Sequence, residues 1–440
     1  MTYPPGFDGE QPSLQSTELL KGRERESRHA RKMIASYEKW FEDEPDEVNS
    51  AALVILRFMG LFNRPPEPGC IRALREEPIA GLSEALFAGS DTEETWRKAI
   101  LRLQRARLLE RRGHHWNDID SHPLIREYFA ARLDEEYADS AREAHRHLYE
   151  HLKQSTPELP DNLNDMMPLY HAVAHGCKAG QIANALESIY RKRISRRADY
   201  GWKRLGAVGM DLAACASFFA CYWNRLKTDV PSVRQGFLFG QTGLLLRAVG
   251  RAQESVDPMR AGYEIDIQNG DWANAATTLG NLCETNYLLG RFSEAINCGI
   301  DAVTTARKSH NIATCFATES KLARVFHFVG QLNASQTMFK KIEQKEIQIN
   351  PQYKSIYSMP GYWFSDLSWT QARALMLESP TVNTKRLKKL ADRIESRARE
   401  AMKWSQSNGG SDIDKGLDSL PQRCKKSKRR GLQRFATLVA

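Results

Sequence analysis

The chain has 440 residues, of which 41% are hydrophobic and 27% are charged. This length and composition suit two or three domains with a buried core, and they exclude a chain that is disordered throughout. Apolar runs stay shorter than the roughly 18 residues that cross a membrane, and the opening MTYPPGFDGEQPS lacks the basic and apolar regions of a signal peptide. We therefore expect a protein that is neither secreted nor embedded in a membrane.

Eight cysteines are spread through the sequence at irregular spacings, and no Cys-x-x-Cys pair occurs. Small secreted domains instead carry a dense framework of paired cysteines. The pattern favours a reducing environment, so we expect a cytoplasmic protein.

The net charge of +9 comes from one end of the chain. The last 60 residues hold 16 Lys and Arg against 6 Asp and Glu, which leaves the first 380 residues close to neutral. A basic excess confined to a tail says nothing about the folded domains. Nucleic acid is therefore not an expected partner, except for weak binding through the basic run PQRCKKSKRRGLQR at 421–434.

The N-terminal third contains several short helical patterns. Residues 1–27 are predicted to form a flexible N-terminus, and residues 28–135 a winged-helix-like domain with minor β structure. The apolar run AALVILRFMGLF at 51–62 predicts the first helix of this domain, and GCIRALRE at 69–76 predicts a short second helix. A third helix is predicted at 91–112.

The third helix opens with a capping signal. Asp91 precedes Glu94 by three residues, as in a capping box with Asp in the Ser/Thr position. A short strand is predicted within 116–122, and the next helix begins with Pro123 in its first turn. Three helices, a short strand pair and a closing helix are typical of a winged helix.

The third helix also carries basic residues that a DNA-reading helix would need. Acidic residues lie among them at Glu93, Glu94 and Glu110. A solvated face or an internal docking surface is therefore the favoured interpretation, and a winged-helix transcriptional regulator with ligand-sensing repeats is the alternative. The basic residues are Arg97, Lys98, Arg102, Arg105 and Arg107.

Residues 136–235 predict a helical region with one weak helix pair. The segment LYHAVAHGCKAGQIANALESIY at 169–190 places Gly180 between two helical patterns, with Ala185 five residues later. The residues that follow, 197–235, are rich in Ala, Phe, Trp and Cys, and we expect them to be helical but outside any repeat.

Residues 236–349 contain an internal repeat of 40 residues. The triplet Val249-Gly250-Arg251 recurs as Leu289-Gly290-Arg291 and as Val329-Gly330-Gln331. Small residues at fixed points let two successive helices cross closely, and the shared glycine suits a turn with positive φ. The small residues form two columns: Gly243, Cys283 and Ala323, and then Ser255, Ala295 and Ser335.

This repeat resembles the tetratricopeptide repeat, whose unit has about 34 residues. The segment LCETNYLLGRFSEAI at 282–296 carries the best match, with Cys283 ahead of the turn glycine and Ala295 after it. The resemblance implies an α-solenoid, here with helix pairs longer by about a turn and a half in total. The predicted fold is therefore all-α: a winged-helix-like domain followed by a solenoid of tetratricopeptide-like helix pairs.

The 40-residue register ends near residue 350, because the next small position falls on Trp363. Residues 350–405 are predicted to continue the helical region irregularly, with a helix in 384–404. Residues 406–440 are expected to form a basic, disordered tail.

The order of a winged helix, the helix in HPLIREYFAARL and long helix-pair repeats resembles the C-terminal half of prokaryotic STAND signal-transduction NTPases. The resemblance covers about residues 28–375. It implies an NTPase module ahead of the winged helix, and repeats that sense a ligand or partner. Many relatives carry a Met-His-Asp triplet whose histidine faces the bound diphosphate, and only His122 of that triplet is present here. His122 is thus a nucleotide-sensor candidate only if an NTPase module is supplied in trans.

A complete catalytic constellation is missing from the sequence. No GxxxxGK[ST] loop occurs that would hold a triphosphate, so no cofactor is expected. The histidines at 114, 115 and 122 have no nearby cysteine and no zinc-like acid spacing, so no metal is expected. Cys283 and Cys298 fall on repeat helices, where cysteine acts as a small apolar residue. We expect a protein that is not an enzyme.

The first helix of each repeat predicts a groove for a protein or peptide partner. Positions one and four residues after the first small column give five polar or aromatic candidates, whose mixed charges suit a polar peptide better than an apolar helix. The alternative, that the termini of the protein fill the groove, stays open. The sequence predicts a noncatalytic sensor or scaffold resembling the regulatory half of a STAND switch. The candidates are Arg247, Glu284, Tyr287, Arg324 and His327.

Overall fold

The structure is a computed structural model, and helices dominate it, with strands limited to two short hairpins in the described part of the chain. The prediction of an all-α protein with a solenoid of tetratricopeptide-like helix pairs is confirmed. None of the described helices combines the length and the apolarity needed to cross a membrane. The described residues are 14–87, 91–351, 355–356, 358–378, 392, 394–397 and 399.

The chain divides into two compact units. The first comprises Met1–Pro157 with His171–Gln181, and the second comprises Glu158–Tyr170 with Ile182–Ala440. The domain boundary expected at residue 135 therefore falls inside the first unit.

The first unit begins with a long helix. Residues 14–27, which were expected to be flexible, belong to α1, because strong helix formers such as Leu, Glu, Lys and Arg dominate that stretch. Residues 1–13 lie outside the described residues. The helices are α1 (Leu14–Asp43), α2 (Glu47–Gly60), α3 (Cys70–Ala73), α4 (Thr92–Arg105), α5 (Pro123–Glu136) and α6 (Ala138–Ser155), with a 3-10 turn at Glu84–Leu86.

The helix predicted at 91–112 is shorter than expected. Its capping signal is confirmed, since the Asp91 carboxylate accepts a hydrogen bond from the Glu94 backbone N–H at 2.9 Å. The helix ends at Arg105 because Arg107 adopts a left-handed φ of 59°. The chain then forms β1 (Glu110–Arg111), which pairs antiparallel with β2 (Ile119–Asp120). The element order agrees with a winged helix, whose assignment stays a prediction.

The apolar helix α2 forms the centre of the first unit. Its residues Ala51, Val54, Ile55 and Phe58 are buried, and it packs against α4 and α5. A Cβ built on Gly60 would lie 2.6 Å from the backbone carbonyl carbon of Phe129, so only glycine permits this crossing with α5. The nearly continuous apolar run is therefore explained by burial on most sides of the helix.

The region before the repeats contains an unexpected hairpin. α7 (Leu163–Lys178) is followed by a turn at Gly180, whose φ of +75° matches the predicted turn. The expectation that 197–235 is helical is wrong at 219–226, because Trp223 turns the chain with a φ of 63° and aromatic residues favour strands. The elements are α8 (Ile182–Asn184), a π-helix (Ala185–Ile194), α9 (Tyr200–Leu205), α10 (Val208–Ala216), β3 (Phe219–Cys221) and β4 (Arg225–Leu226).

Three helix pairs follow with the predicted period. The turn glycines Gly250, Gly290 and Gly330 have φ values of +85°, +74° and +80°, as their shared position predicted. The second helix of the first pair begins four residues late, at Val256, because 252–255 form turns. The pairs are α11 (Ser232–Ala248) with α12 (Val256–Gln268), α13 (Trp272–Leu288) with α14 (Phe292–Lys308), and α15 (Ile312–Phe328) with α16 (Leu332–Ile349).

The two columns of small residues contact each other inside the pairs. Ser335 Oγ donates a hydrogen bond to the backbone carbonyl of Ala323 at 2.7 Å. A Cβ added to Gly243 would lie 3.0 Å from the backbone carbonyl oxygen of Ser255. The small columns therefore mark the points where the two helices of a pair cross closely.

A further helix, α17 (Ser358–Glu378), packs against α15 and α16. Trp363 takes the position where the small column would continue, and Phe364 stacks on Phe339 with ring centroids 5.2 Å apart. Bulky residues thus replace the close crossing found in the three regular pairs. Of the helix predicted at 384–404, residues 392, 394–397 and 399 are described and are helical, and the tail at 406–440 lies outside the described residues.

Candidate peptide-binding face

The five groove candidates lie on three successive first helices of the repeats. Arg247 is on α11, Glu284 and Tyr287 are on α13, and Arg324 and His327 are on α15. α13 packs against both α11 and α15. Residues three apart share one side of a helix, so the two positions chosen in each repeat point the same way. The structure joins four of these residues, and His327 makes separate contacts.

Glu284 is the centre of an ion cluster. Its carboxylate oxygens lie 3.2 Å from Nη1 of Arg247, 3.3 Å from Nζ of Lys321 and 3.5 Å from Nη1 of Arg324. The four side chains are between 15% and 27% exposed, so they are largely buried and yet reach solvent. Three cations around one carboxylate leave this cluster with a net charge of +2. We call Glu284 and its three cations the Glu284 cluster.

Asn281 connects two of these cations. Its backbone carbonyl accepts a hydrogen bond from Nη1 of Arg247 at 3.0 Å, and its side-chain Oδ1 accepts one from Nζ of Lys321 at 2.7 Å. Sequence reasoning missed both Asn281 and Lys321. The available signal was the column two residues before the small one, which reads Gln241, Asn281, Lys321. That column lies one helical turn before the positions that were chosen.

Burial and charge act in opposite directions on the Glu284 cluster. Burial raises the pKa of Glu284, but the positive charges of Lys321, Arg247 and Arg324 outweigh burial and leave the pKa below its ordinary value. Burial lowers the pKa of Lys321, and the negative charge of Glu284 opposes this. Glu284 is therefore ionised at neutral pH, and loss of its charge would leave three largely buried cations without their shared counter-ion.

Aromatic rings lie beside the Glu284 cluster, near the turns of the repeats. The rings of Tyr287 and Phe328 are 4.5 Å apart, and Phe292 lies 6.5 Å from Tyr287. The guanidinium of Arg324 lies 5.7 Å from the Tyr287 ring and 4.6 Å from the Trp363 ring, within cation–π range. Phe292 and Phe328 are 45% and 44% exposed. A charged patch and an exposed aromatic edge are thus adjacent.

His327 makes its polar contacts with α17. Its Nε2 lies 2.9 Å from Oγ1 of Thr370, and its Nδ1 lies 3.9 Å from a carboxylate oxygen of Asp366. Burial lowers the pKa of His327, Asp366 raises it, and Arg324 lowers it, with a net shift downward. The imidazole is therefore neutral at pH 7, and its ring is largely buried. Of the five candidates, His327 is therefore the one that packs against α17 behind the face, where it has a structural role.

His122, the nucleotide-sensor candidate, lies at the start of α5. Its Nδ1 accepts a hydrogen bond from the backbone N–H of Leu124 at 3.2 Å, so the imidazole caps the helix. Acceptance at Nδ1 requires a tautomer with the proton on Nε2. The side chain is exposed, which leaves Nε2 directed away from the cap. The nucleotide role remains a prediction.

Metal sites and cysteine nucleophiles are two kinds of catalytic group that can be located among the described residues. Among them, no three or more His, Cys, Asp or Glu side chains are grouped so that they could hold a metal ion. Burial raises the pKa of Cys283 to about 12, and burial also raises the pKa of Cys298. Both groups are therefore thiols at neutral pH, whereas a nucleophile would need the thiolate.

Two of the basic residues on α4 have partners within the first unit. Nη1 of Arg102 lies 3.0 Å from the Asp46 carboxylate and donates a hydrogen bond to the side-chain oxygen of Asn49. Nζ of Lys98 lies 3.3 Å from the Glu94 carboxylate. These contacts agree with a solvated and internally paired face. DNA recognition by α4 stays a hypothesis.

The chain was compared with known proteins. No protein-family model matches it, and no curated protein sequence matches it. A solved structure that it resembles is a signal-transduction ATPase with numerous domains (STAND) with a tetratricopeptide repeat sensor, from Pyrococcus horikoshii, at 12% sequence identity and a TM-score of 0.25. The match covers 92% of this chain and 66% of that protein, just under two thirds of its length. A likeness of this degree carries no argument about function.

Proposed function

We propose that this protein is a noncatalytic sensor or scaffold that binds a peptide, or an extended segment of a partner protein, on the face formed by α11, α13 and α15. The Glu284 cluster is the observation that carries the proposal. In the STAND proteins that the sequence resembles, repeats of this kind sense the ligand. A lower alternative is that the protein is the partner of an NTPase supplied in trans.

The energetics of the Glu284 cluster support a binding role. Taking several charges out of water is costly, and ion pairs of this kind are weak evidence for stability. Four ionisable side chains gathered on the face that three helices form are therefore better explained by recognition than by folding alone. Their contact with solvent keeps them within reach of a ligand.

The chemistry of the face suits an extended peptide better than an apolar helix. A groove for an amphipathic helix presents a continuous apolar stripe to the i, i+3, i+4 and i+7 anchors of its ligand. Here the centre of the face is ionic, and exposed rings lie to one side of it. An extended chain places neighbouring polar and apolar side chains on such a surface without presenting an apolar stripe.

A binding selection with the full chain tests the proposal. A random peptide library displayed on phage is selected against the wild-type protein and against the double variant Tyr287→Ala, Arg324→Gln. The proposal expects one family of enriched peptides with the wild type, and the loss of that family with the double variant. Arg251→Gln is the matched control, because the ion pair of Arg251 with the exposed Glu254 and its position 5.7 Å from the Trp223 ring involve no residue of the Glu284 cluster.

Two results would contradict the proposal. One is a selection in which no peptide family is enriched by the wild-type protein while circular dichroism shows that it is folded. The other is ATP hydrolysis by the purified protein alone, since a noncatalytic sensor turns over no nucleotide.

A further inference from the structure

We infer that the ligand of this face is an acidic peptide segment that carries a large apolar side chain beside its carboxylates, and that Glu284 sets the affinity for it. The inference rests on the proposed function and names the ligand class for the same site. Three independent features support it: the charge of the face, the donors that its ion pairs leave unused and the exposed rings.

The Glu284 cluster is positively charged, and it stays positive when the neighbouring Asp366 is included. The Glu284 cluster has a net charge of +2, from Arg247, Lys321 and Arg324 against one carboxylate. Asp366, which lies beside His327, reduces the excess to +1 when it is included. A carboxylate on the ligand restores neutrality, and a basic ligand would add to the excess. Charge complementarity therefore favours an acidic partner.

The donors of the cluster are only partly used. A guanidinium has five N–H donors in a rigid plane. Among the described residues, Arg247 and Arg324 contact Glu284 through Nη1, and Arg247 uses the same nitrogen for the Asn281 carbonyl. Nε of Arg324 is buried, so Nη2 of each guanidinium is the donor that remains for a second carboxylate.

The exposed rings add an apolar requirement. Phe292 and Phe328 leave nearly half of their surfaces to solvent, and Leu288, which holds the position of Phe328 one repeat earlier, is 59% exposed. Tyr287 connects this edge to Arg324. A ligand with an aromatic or large aliphatic side chain next to its carboxylates would cover these rings while its charge meets the cations. Such aromatic and arginine contacts dominate binding energy at interfaces.

Glu284 positions the cations of the site, and its charge also repels an acidic ligand. Its carboxylate holds three cations in place, and the same negative charge repels an acidic ligand at short range. Glu284→Gln keeps the shape of the side chain and one of its two oxygens, and it raises the charge of the cluster from +2 to +3. We expect this variant to bind acidic peptides about fivefold tighter, a change of the size expected for one partly screened charge.

The test measures binding of labelled synthetic peptides to the full chain by fluorescence anisotropy. Each acidic peptide containing Phe or Leu is matched by an amide version, with Asn and Gln for Asp and Glu, and by a basic version. Every peptide is made with a free and with an amidated C-terminus, which separates side-chain carboxylates from the terminal one. A single-stranded oligonucleotide serves as a polyanion of another class.

The inference expects acidic peptides to bind at least about tenfold tighter than their amide versions, with weaker binding at high salt. Arg324→Gln should remove most of that preference, Glu284→Gln should increase it, and Arg251→Gln should leave it unchanged. Thermal melting of each variant checks that the repeats are folded. A second variant, Lys321→Gln, replaces Arg324→Gln if the latter fails to fold.

The outcomes separate the inference from the proposed function. Equal or tighter binding of the amide or basic peptides overturns the inference and leaves peptide binding intact. An oligonucleotide that binds tighter than the acidic peptides and competes with them has the same consequence. Unchanged or weaker binding of acidic peptides by Glu284→Gln also overturns the inference. Failure of every peptide to bind overturns the proposed function itself.

Discussion

A buried pair of histidines makes the stability of the first unit sensitive to mild acid. His145 on α6 and His175 on α7 are both buried, and their Nδ1 atoms lie 2.9 Å apart, so one donates a hydrogen bond and the other accepts it. Burial lowers the pKa of His175 from 6.5 to about 3, and the positive charges of Lys178 and His171 act in the same direction. Burial and the neighbouring His175 also place the pKa of His145 well below its ordinary value.

The sign of the pH effect follows from these lowered pKa values. The folded state keeps both rings neutral, whereas the unfolded chain takes up protons as the pH falls below 6.5. The stabilising contribution of the histidine pair is therefore present above pH 6.5 and is lost as the pH falls toward 3. For His175 alone, the free energy of unfolding should drop by about 2 kcal/mol between pH 7.5 and pH 5. His145 adds to that loss.

Hydrogen exchange in α6 measures this effect locally in the full chain. Amide exchange rates, corrected for the intrinsic rate at each pH, give the free energy of opening at pH 7.5 and at pH 5. His175→Asn keeps a hydrogen-bonding atom near the position of Nδ1 and cannot titrate, so its pH-dependent loss should be smaller by about 2 kcal/mol. The exposed His114→Asn is the control. Equal pH dependence in His175→Asn and wild type would refute the reasoning.

Three further perturbations act on the second unit. Gly236→Ala should destabilise it by about 2 kcal/mol in a urea titration, because the new Cβ would lie 1.9 Å from a carboxylate oxygen of Asp266. The control Gly209→Ala lies in α10 and meets no atom within 4 Å, so it should be neutral to mildly stabilising, by up to about 1 kcal/mol. His310 has a left-handed φ of 53°, which glycine adopts without strain, so His310→Gly should stabilise the unit by about 1 kcal/mol and raise its thermal midpoint. A lowered midpoint would contradict this. Burial raises the pKa of Asp211 to about 7, so its stabilising contribution is present below pH 3.8 and is lost as the pH rises to 7. The free energy of unfolding of Asp211→Asn, taken relative to wild type, should therefore rise by about 3 kcal/mol between pH 5 and pH 8. A difference that stays the same at both pH values would rule out this account.

The repeats could be predicted because their constraints are local and periodic. A glycine with positive φ at each turn and a small residue at each crossing leave direct marks in the sequence, as Gly290 and Cys283 do. The hairpin at 219–226 left no such mark, since its turn uses a left-handed Trp223 in place of glycine. Short strands held by tertiary contacts cannot be distinguished from apolar helix by composition alone.

The residues of the peptide-binding face could be predicted only in part, because helical spacing locates some of them and not others. Steps of one and four residues after the small column located Arg247, Glu284 and Arg324, because helical spacing alone decides which side they share. The same rule gave no means of seeing that His327 turns to α17, since α17 lies outside the repeat. Lys321 was missed because its role depends on Asn281 in the preceding repeat, 40 residues earlier.

The position of Glu284 in the middle repeat has a consequence for how the array unfolds. Repeat proteins are stabilised by each unit and by its interfaces with the neighbours on either side. Glu284 contacts Arg247 in the preceding repeat and Lys321 and Arg324 in the following one, so one carboxylate contributes to both interfaces. Loss of Arg247 weakens a single junction, but loss of the Glu284 charge weakens two junctions at once. When the Glu284 charge is lost, the three repeats therefore unfold less cooperatively, and each helix pair melts more independently of its neighbours.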